Sequence, residues 1–418
     1  MRSPSPFLPL PPSYPCLGGD PVAAYVALRQ RLGLDQPHFF WAQGSRVLIG
    51  VGARRHWHSH GPERFQHLRQ LSRSTNGFWL GSFGFSDRDP SYFFNPQVTL
   101  HGQGSAWHLT CWDPDLGDPA DLWASLPPVK IPWQGSPAAL PVQLPAPPLQ
   151  GALERALGLI HQGSLEKIVL AAPYEMDWHP SPEVGVIVQG LRQMYPDCTV
   201  FACQHPQGGI FLGASPETLV RLEQGRLFTI ALAGSRPRHR DPDQDWRLGQ
   251  GLLESTKDRY EQHLVTESIV SALHSLGISP QLPDHYPTLR QLCHIQHLQT
   301  PIHARMPDHL HLVDLVAALH PTAAVAGLPR ERACAYLPYL ESFQRGFYAA
   351  PLGWLGPQGE GEFIVAIRCA WLRPPRITLY AGAGIVAGSQ IERELAEITW
   401  KWQALLPALL GFHLSQAP

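Results

Sequence analysis

Phe211-Leu-Gly-Ala-Ser-Pro-Glu217-Thr-Leu-Val220 places two short apolar runs on either side of a Ser-Pro turn. A run that ends near Gly213, turns through Ser215-Pro216 and resumes after Glu217 has the texture of a sheet, not of a helix. The flanking sequence repeats it. Residues 199–203 and 210–212 read as paired strands around a Gly-Gly turn, residues 167–172 as a short apolar strand, and residues 361–372 with 377–383 as a hairpin. Helical apolar spacing appears at residues 151–161 and at 252–276, the latter closed by Gly277. It appears again at 392–410, where Pro407 is expected to interrupt the end. Runs of strands with inserted helices make an α+β protein rather than a regular βαβ winding.

Upstream the texture changes. Residues 1–18 form a proline-rich tail expected to lack order, and residues 19–126 a variable N-terminal lobe. The lobe has strand-like runs at 46–52, 77–85 and 106–112. Residues 127–150 carry eight prolines and read as a connector, either exposed or extended across a surface. Residues 151–413 carry the motifs.

With 418 residues, 44% hydrophobic and 16% charged, the chain can bury a large core. A formal net charge of -2 lacks the basic face that nucleic acid requires and gives no case for an anionic membrane surface. No apolar run approaches the length of a membrane span, and the N-terminus lacks the apolar core of a signal peptide. The seven cysteines are scattered with no Cys-x-x-Cys pair, the pattern of free thiols in a reducing compartment, so a cytoplasmic location is expected.

Several residues are placed where chemistry is possible. Glu217, fixed at a turn between apolar strands, is either a carboxyl with a raised pKa suited to acid catalysis or an ordinary turn carboxylate. Lys167 stands at the mouth of an apolar strand, where desolvation would favour the neutral amine; a lysine snorkelling to water is the plainer reading. Glu394, Glu397 and Lys401 share one stripe of the last helix, and Asp258 and Glu261 one stripe of the long helix. Each stripe is a salt-bridged surface or part of a site for a hard cation. Arg368, amid the apolar residues of 363–371, needs an anion, from a ligand or from within the protein. Ala381-Gly-Ala-Gly-Ile-Val offers free backbone N–H groups and close approach to a ligand.

Taken in order, these segments resemble the chorismate-utilising enzymes, and within them the isochorismate synthases, from about residue 151 to 413. The resemblance is carried by Lys167-Ile-Val-Leu, the stretch through Glu217, Leu232-Ala-Gly-Ser235, Lys257-Asp-Arg-Tyr-Glu261, His297-Leu and His320-Pro-Thr-Ala-Ala324-Val-Ala-Gly. It continues through residues 348–354, Ala366-Ile-Arg368, Ala381-Gly-Ala-Gly-Ile and residues 394–401. It implies two stacked, mostly antiparallel sheets flanked by helices, with the site in a deep cleft. It further implies that Lys167 activates water for attack at ring C2 and that Glu217 protonates the departing C4 hydroxyl. Glu261 and Glu397 would be the principal Mg²⁺ ligands, supported by Asp258 and Glu394. Arg368, Tyr348 and the backbone at Gly382 would clamp the enolpyruvyl carboxylate of chorismate, with Lys401, His297, Ser235 and Ala324 as further pocket residues.

The branch is read at three positions. Ammonia-using relatives tend to carry Gln at Lys167, the aminodeoxychorismate enzymes carry a nucleophilic Lys at Ala233, and both usually read Phe-Pro at His320-Pro321 with a hydroxyl residue near Ala324. All three positions point to water as nucleophile and away from a glutaminase partner. Salicylate synthases share the lysine but often carry Thr near Ala324, so isochorismate release is expected first and onward pyruvate elimination second. Two departures stand out: Gln262, where His commonly follows the metal-binding Glu, and Tyr348, where Phe is common.

Overall fold

A computed structural model describes residues 13–17, 19–132, 144–177 and 183–410. The N-terminal elements are β1 (Ser13–Leu17), α1 (Pro21–Leu32), β2 (His38–Gln43), β3 (Arg46–Ser59), α2 (Arg64–Ser74), β4 (Trp79–Ser82), β5 (Ser91–Gln103), β6 (Ala106–Cys111) and α3 (Pro119–Ala124). There follow α4 (Gln150–His161), β7 (Lys167–Asp177), α5 (Val184–Met194), β8 (Thr199–Gln204), β9 (Ile210–Ser215), β10 (Thr218–Glu223), β11 (Arg226–Pro237), α6 (Pro242–Glu254) and α7 (Thr256–Ser275). The last are β12 (Thr288–Gln291), β13 (Ile295–Arg305), α8 (Leu312–Leu319), β14 (Gly327–Leu328), α9 (Arg330–Leu340), β15 (Pro351–Leu355), β16 (Gly361–Val365), β17 (Cys369–Arg373), β18 (Arg376–Val386) and α10 (Ile391–Leu410).

The strands form one antiparallel hydrogen-bonded network with two arms that share β5. One arm runs β1-β6-β5-β3-β2-β8-β9-β17-β18-β7-β14, and the other β5-β4-β15-β16-β10-β11-β13-β12. β5 serves both because its halves meet different partners on one edge: Tyr92, Phe93 and Phe94 face β4, and residues 98–103 face β6. The expected pair of antiparallel sheets is therefore present as two arms joined through one strand. The lobe is tied to the later sequence by β2 on β8 and β4 on β15. Both arms bury their apolar faces in one core, with α7 packed on β11 and α10 on β18.

Two crossings between the arms lie side by side, and they position the site. The chain leaves the first arm between β9 and β10 through Pro216-Glu217, and returns to it between β16 and β17 through residues 366–368. The crossings are bonded to each other: Val365 N donates to Glu217 O (3.0 Å), Ala214 N to Arg368 O (3.0 Å) and Ser215 Oγ to Val365 O (2.6 Å).

Four expectations need correction. The single helix over 252–276 is two helices, because Ser255 leaves helical geometry (φ −64°, ψ 112°) and turns its hydroxyl to cap Asp258 N at 3.3 Å. A one-residue break leaves apolar periodicity intact, so the pattern could not show it. The hairpin expected from 361–372 and 377–383 is β17 with β18, and β16 belongs to the other arm. Pro407 does not end the last helix, which continues to Leu410. Residues 13–17 of the expected disordered tail pair as an edge strand with β6, whose second edge would otherwise lack a partner. Residues 1–12 and 18, and 133–143 of the connector, lie outside the described residues.

Candidate active site

A cavity opens where the two crossings meet, and ten of the expected site residues line it: Glu217, Ser235, Glu261, His297, Ala324, Tyr348, Arg368, Gly382, Glu397 and Lys401. They arrive from β11, β13, α7, β18, α10 and the loops that follow β9, α8, α9 and β16. Lys167, Asp258 and Glu394 are not on its lining.

Lys167 starts β7 fully buried, behind the cavity wall. Its Nζ lies 3.1 Å from Glu261 Oε1 but forms no hydrogen bond of ordinary geometry. Gly384 explains how the pair fits. A Cβ there would stand 2.2 Å from Glu261 Oε1 and 3.1 Å from Lys167 Cε, so a side chain at this position would displace the pair. The glycine-rich run was read as access for a ligand; Gly382 and Gly384 both line the cavity, and Gly384 also sits against this pair.

Glu217 N is bonded to Ser215 Oγ (3.2 Å), which fixes the turn, and the carboxyl is buried. Burial pushes its pKa up to about 8, although Lys167, Lys401, Arg290 and Arg368 all pull it down. At neutral pH it therefore holds its proton as a carboxylic acid. A catalytic step that needs this acid should lose rate as pH rises through about 8. The sign for stability is the same, because the native carboxyl binds its proton more tightly than the ordinary value of 4.5. Its stabilising contribution is full below pH 4.5 and is lost as pH rises to about 8. Glu217→Gln should therefore gain thermal stability relative to the parent between pH 5 and pH 8.5, as read from melting curves at the two values; a constant difference would contradict the shift.

Arg368 does not sit inside a strand as expected. It ends the irregular link to β17 at φ 49°, a left-handed conformation that swings the chain between arms. Its Nη2 bonds His297 Nε2, and its buried Nη1 has no partner. Because arginine only donates, His297 Nε2 must accept, and Nδ1 carries the proton and donates to Gly234 O (3.0 Å). Ser235 Oγ lies 3.1 Å from the same Nδ1. Burial, then the Arg368 charge, holds His297 well below the usual histidine pKa, in keeping with a neutral ring.

Lys401 Nζ bridges Glu397 Oε1 (2.7 Å) and Gly382 O (2.7 Å). Burial raises the Glu397 pKa, but Lys401, Lys257 and the Ser235 hydroxyl outweigh it and leave this carboxylate below its ordinary value. The remaining acids of the two stripes are held by cations. Asp258 is bound by Arg236 Nη2 at 2.7 Å, and Glu394 by Lys257 Nζ at 2.9 Å. These two, expected as supporting ligands, are not on the cavity lining. Among the described residues no three His, Cys, Asp or Glu side chains converge as a ready metal cage. Two carboxylates on one cavity wall, Glu261 and Glu397, still match Mg²⁺, which completes its shell with water and substrate oxygens.

Tyr348 stacks on Tyr380 (5.3 Å between centroids, 18° between planes), and a Cβ on Gly382 would stand 3.0 Å from its hydroxyl. Tyr380, Val169 and Ile367 complete the apolar wall and carried no signal beyond strand-like burial. Ala324 lies in the loop after α8, next to Val325. No helix among the described residues is long and apolar enough to cross a membrane.

The chorismate-binding enzyme family model matches residues 143–410, and the chain belongs to that family. It is 43% identical over 254 residues to the salicylate biosynthesis isochorismate synthase of Pseudomonas aeruginosa, covering 61% of this chain and 53% of that protein. It is 35% identical over 272 residues to isochorismate synthase DhbC of Bacillus subtilis, covering 63% of this chain and 68% of that protein. The match to the Pseudomonas protein thus spans about half of that protein's length. The solved structure of MenF, the menaquinone-specific isochorismate synthase from Escherichia coli, superposes with TM-score 0.76 at 26% identity, covering 96% of this chain and 95% of that chain.

Proposed function

We propose that this chain converts chorismate to isochorismate, with Mg²⁺ bound by Glu261 and Glu397. The observation that carries the reading is a buried carboxyl, Glu217, on the lining of one cavity that also presents Arg368 and Lys401, with the buried amine of Lys167 behind its wall, against Glu261. Lys167 takes a proton from water as the water oxygen bonds to C2. The ring double bonds shift, the C4–O bond breaks, and Glu217 gives its proton to the departing hydroxyl, which leaves as water. One water enters and one leaves, so the product is an isomer, and proton exchange with solvent resets both groups. Bound Mg²⁺ would supply positive charge to the ring carboxylate. Arg368 Nη1, buried without a partner, is suited to the enolpyruvyl carboxylate, and neutral His297 keeps the guanidinium turned towards it.

The methyl group of Ala233 offers no amine nucleophile, and Lys167 suits water better than ammonia. This favours a chain that works without a glutaminase partner. Loss of pyruvate would require the C2 hydrogen to be held close to the side chain. Ala324 is small and apolar where a hydroxyl could help to hold it. Enzyme, chorismate and Mg²⁺ should therefore give a mixture of chorismate and isochorismate with little pyruvate, followed by chromatography and a coupled lactate dehydrogenase assay. Ala324→Thr should raise pyruvate and salicylate. Stoichiometric pyruvate from the unmodified enzyme would instead establish salicylate formation.

A further inference from the structure

β7, which begins at Lys167, is fully paired with β18 along one edge. Along the other edge β14 covers only Lys167 and Ile168, and Val169 N then donates to Ala326 O (2.8 Å). Beyond that point a buried ion pair replaces the missing strand. Arg345 Nη2 donates to Val169 O (2.8 Å), and Ala171 N donates to Glu341 Oε1 (2.8 Å). The same guanidinium donates from Nη1 to Val325 O (2.6 Å) and from Nε to Glu341 Oε2 (2.9 Å). It also lies over the Phe85 ring at 4.4 Å and the Tyr348 ring at 5.7 Å. Neither Arg345 nor Glu341 lines the cavity, yet Val169, Val325 and Tyr348 all do.

We propose that Arg345, oriented by Glu341, is a positioning residue for the reaction proposed above, on which this inference rests. It fixes the strand of Lys167, the Ala324–Val325 wall and Tyr348 in one arrangement around the substrate. A buried ion pair is a poor source of stability, because apolar residues of similar volume usually serve as well. This pair instead satisfies three backbone groups, on two separate segments, that no strand reaches. Lysine could keep the charge but not the planar fork that reaches Val169 O, Val325 O and Glu341 at once. A displacement of the cavity wall by about 1 Å can cost about 10²-fold in rate.

The test compares Arg345→Lys with the unmodified chain for kcat, chorismate KM, melting temperature and the ratio of pyruvate to isochorismate. The expected result is a fall in kcat of roughly 10- to 100-fold with KM changed by less than about threefold. The pyruvate fraction should rise as the Ala324 wall loosens. Glu362→Gln serves as control: it disturbs the buried Arg46–Glu362 pair (3.1 Å) outside the cavity lining, and should lower the melting temperature without moving the product ratio. If Arg345→Lys does not fold, the double variant Glu341→Leu, Arg345→Met removes both charges together and should show the same kcat loss and product shift. A folded variant with the parent's kcat and product ratio overturns the proposal, and so does failure of both variants to fold, which would assign the pair to stability alone. The unmodified chain failing to form isochorismate would instead overturn the proposed function.

Discussion

Lys167→Ala should lower turnover by roughly 10²–10⁴-fold, the usual worth of a general base, while chorismate still binds. The lysine is fully buried and paired with Glu261, so the substitution removes the amine and leaves the cationic rim of Arg368 and Lys401 in place. It also frees Glu261 from its counter-charge, which should leave Mg²⁺ binding as strong as before or stronger. Calorimetry with Mg²⁺ alone therefore separates two explanations of a dead enzyme. Lost turnover with intact metal binding identifies the base; lost turnover with lost metal binding would make Lys167 a prop for the acidic wall. Near-parental turnover would place the base elsewhere.

The second large effect is on the metal. Glu261→Gln and Glu397→Gln lie on different helices, α7 and α10, and share only the cavity. Each should weaken Mg²⁺ binding by at least about tenfold, since even groups that merely support a metal ligand cost 10- to 100-fold. Activity should vanish in excess chelator and return with Mg²⁺. Asp258→Asn and Glu394→Gln should have smaller effects, because neither carboxylate is on the cavity lining. Full activity in excess chelator would remove the metal from the account.

Much of this site was legible in the sequence because its residue types are costly where they stand. A lysine opening an apolar strand, a glutamate at a turn between two strands and an arginine among apolar residues each need a reason; Glu217 and Arg368 line one cavity, and Lys167 is buried behind its wall against Glu261. The acidic stripes were legible as pairs but not by direction. Helical spacing places Asp258 beside Glu261 and Glu394 beside Glu397, but only Glu261 and Glu397 line the cavity, while Arg236 on β11 and Lys257 on α7 pair with the other two. Those cations act across elements, beyond the reach of periodicity. Arg345 and Glu341 were not singled out for the same reason, since their partners are backbone groups of β7 and of the loop before β14. The strands were legible by composition, but their partners were not. Residues 361–372 read as one strand of a hairpin, but the link through Arg368, with its left-handed turn, divides them between two arms.

Turnover of chorismate in ¹⁸O-labelled water, with the product examined by mass spectrometry, tests the central claim most directly. If Lys167 activates water for attack at C2 while Glu217 releases the C4 hydroxyl, isochorismate should carry one solvent oxygen, at the C2 hydroxyl. Added ammonia should leave the product unchanged. Isochorismate without solvent oxygen, or an aminated product in its place, would contradict the account.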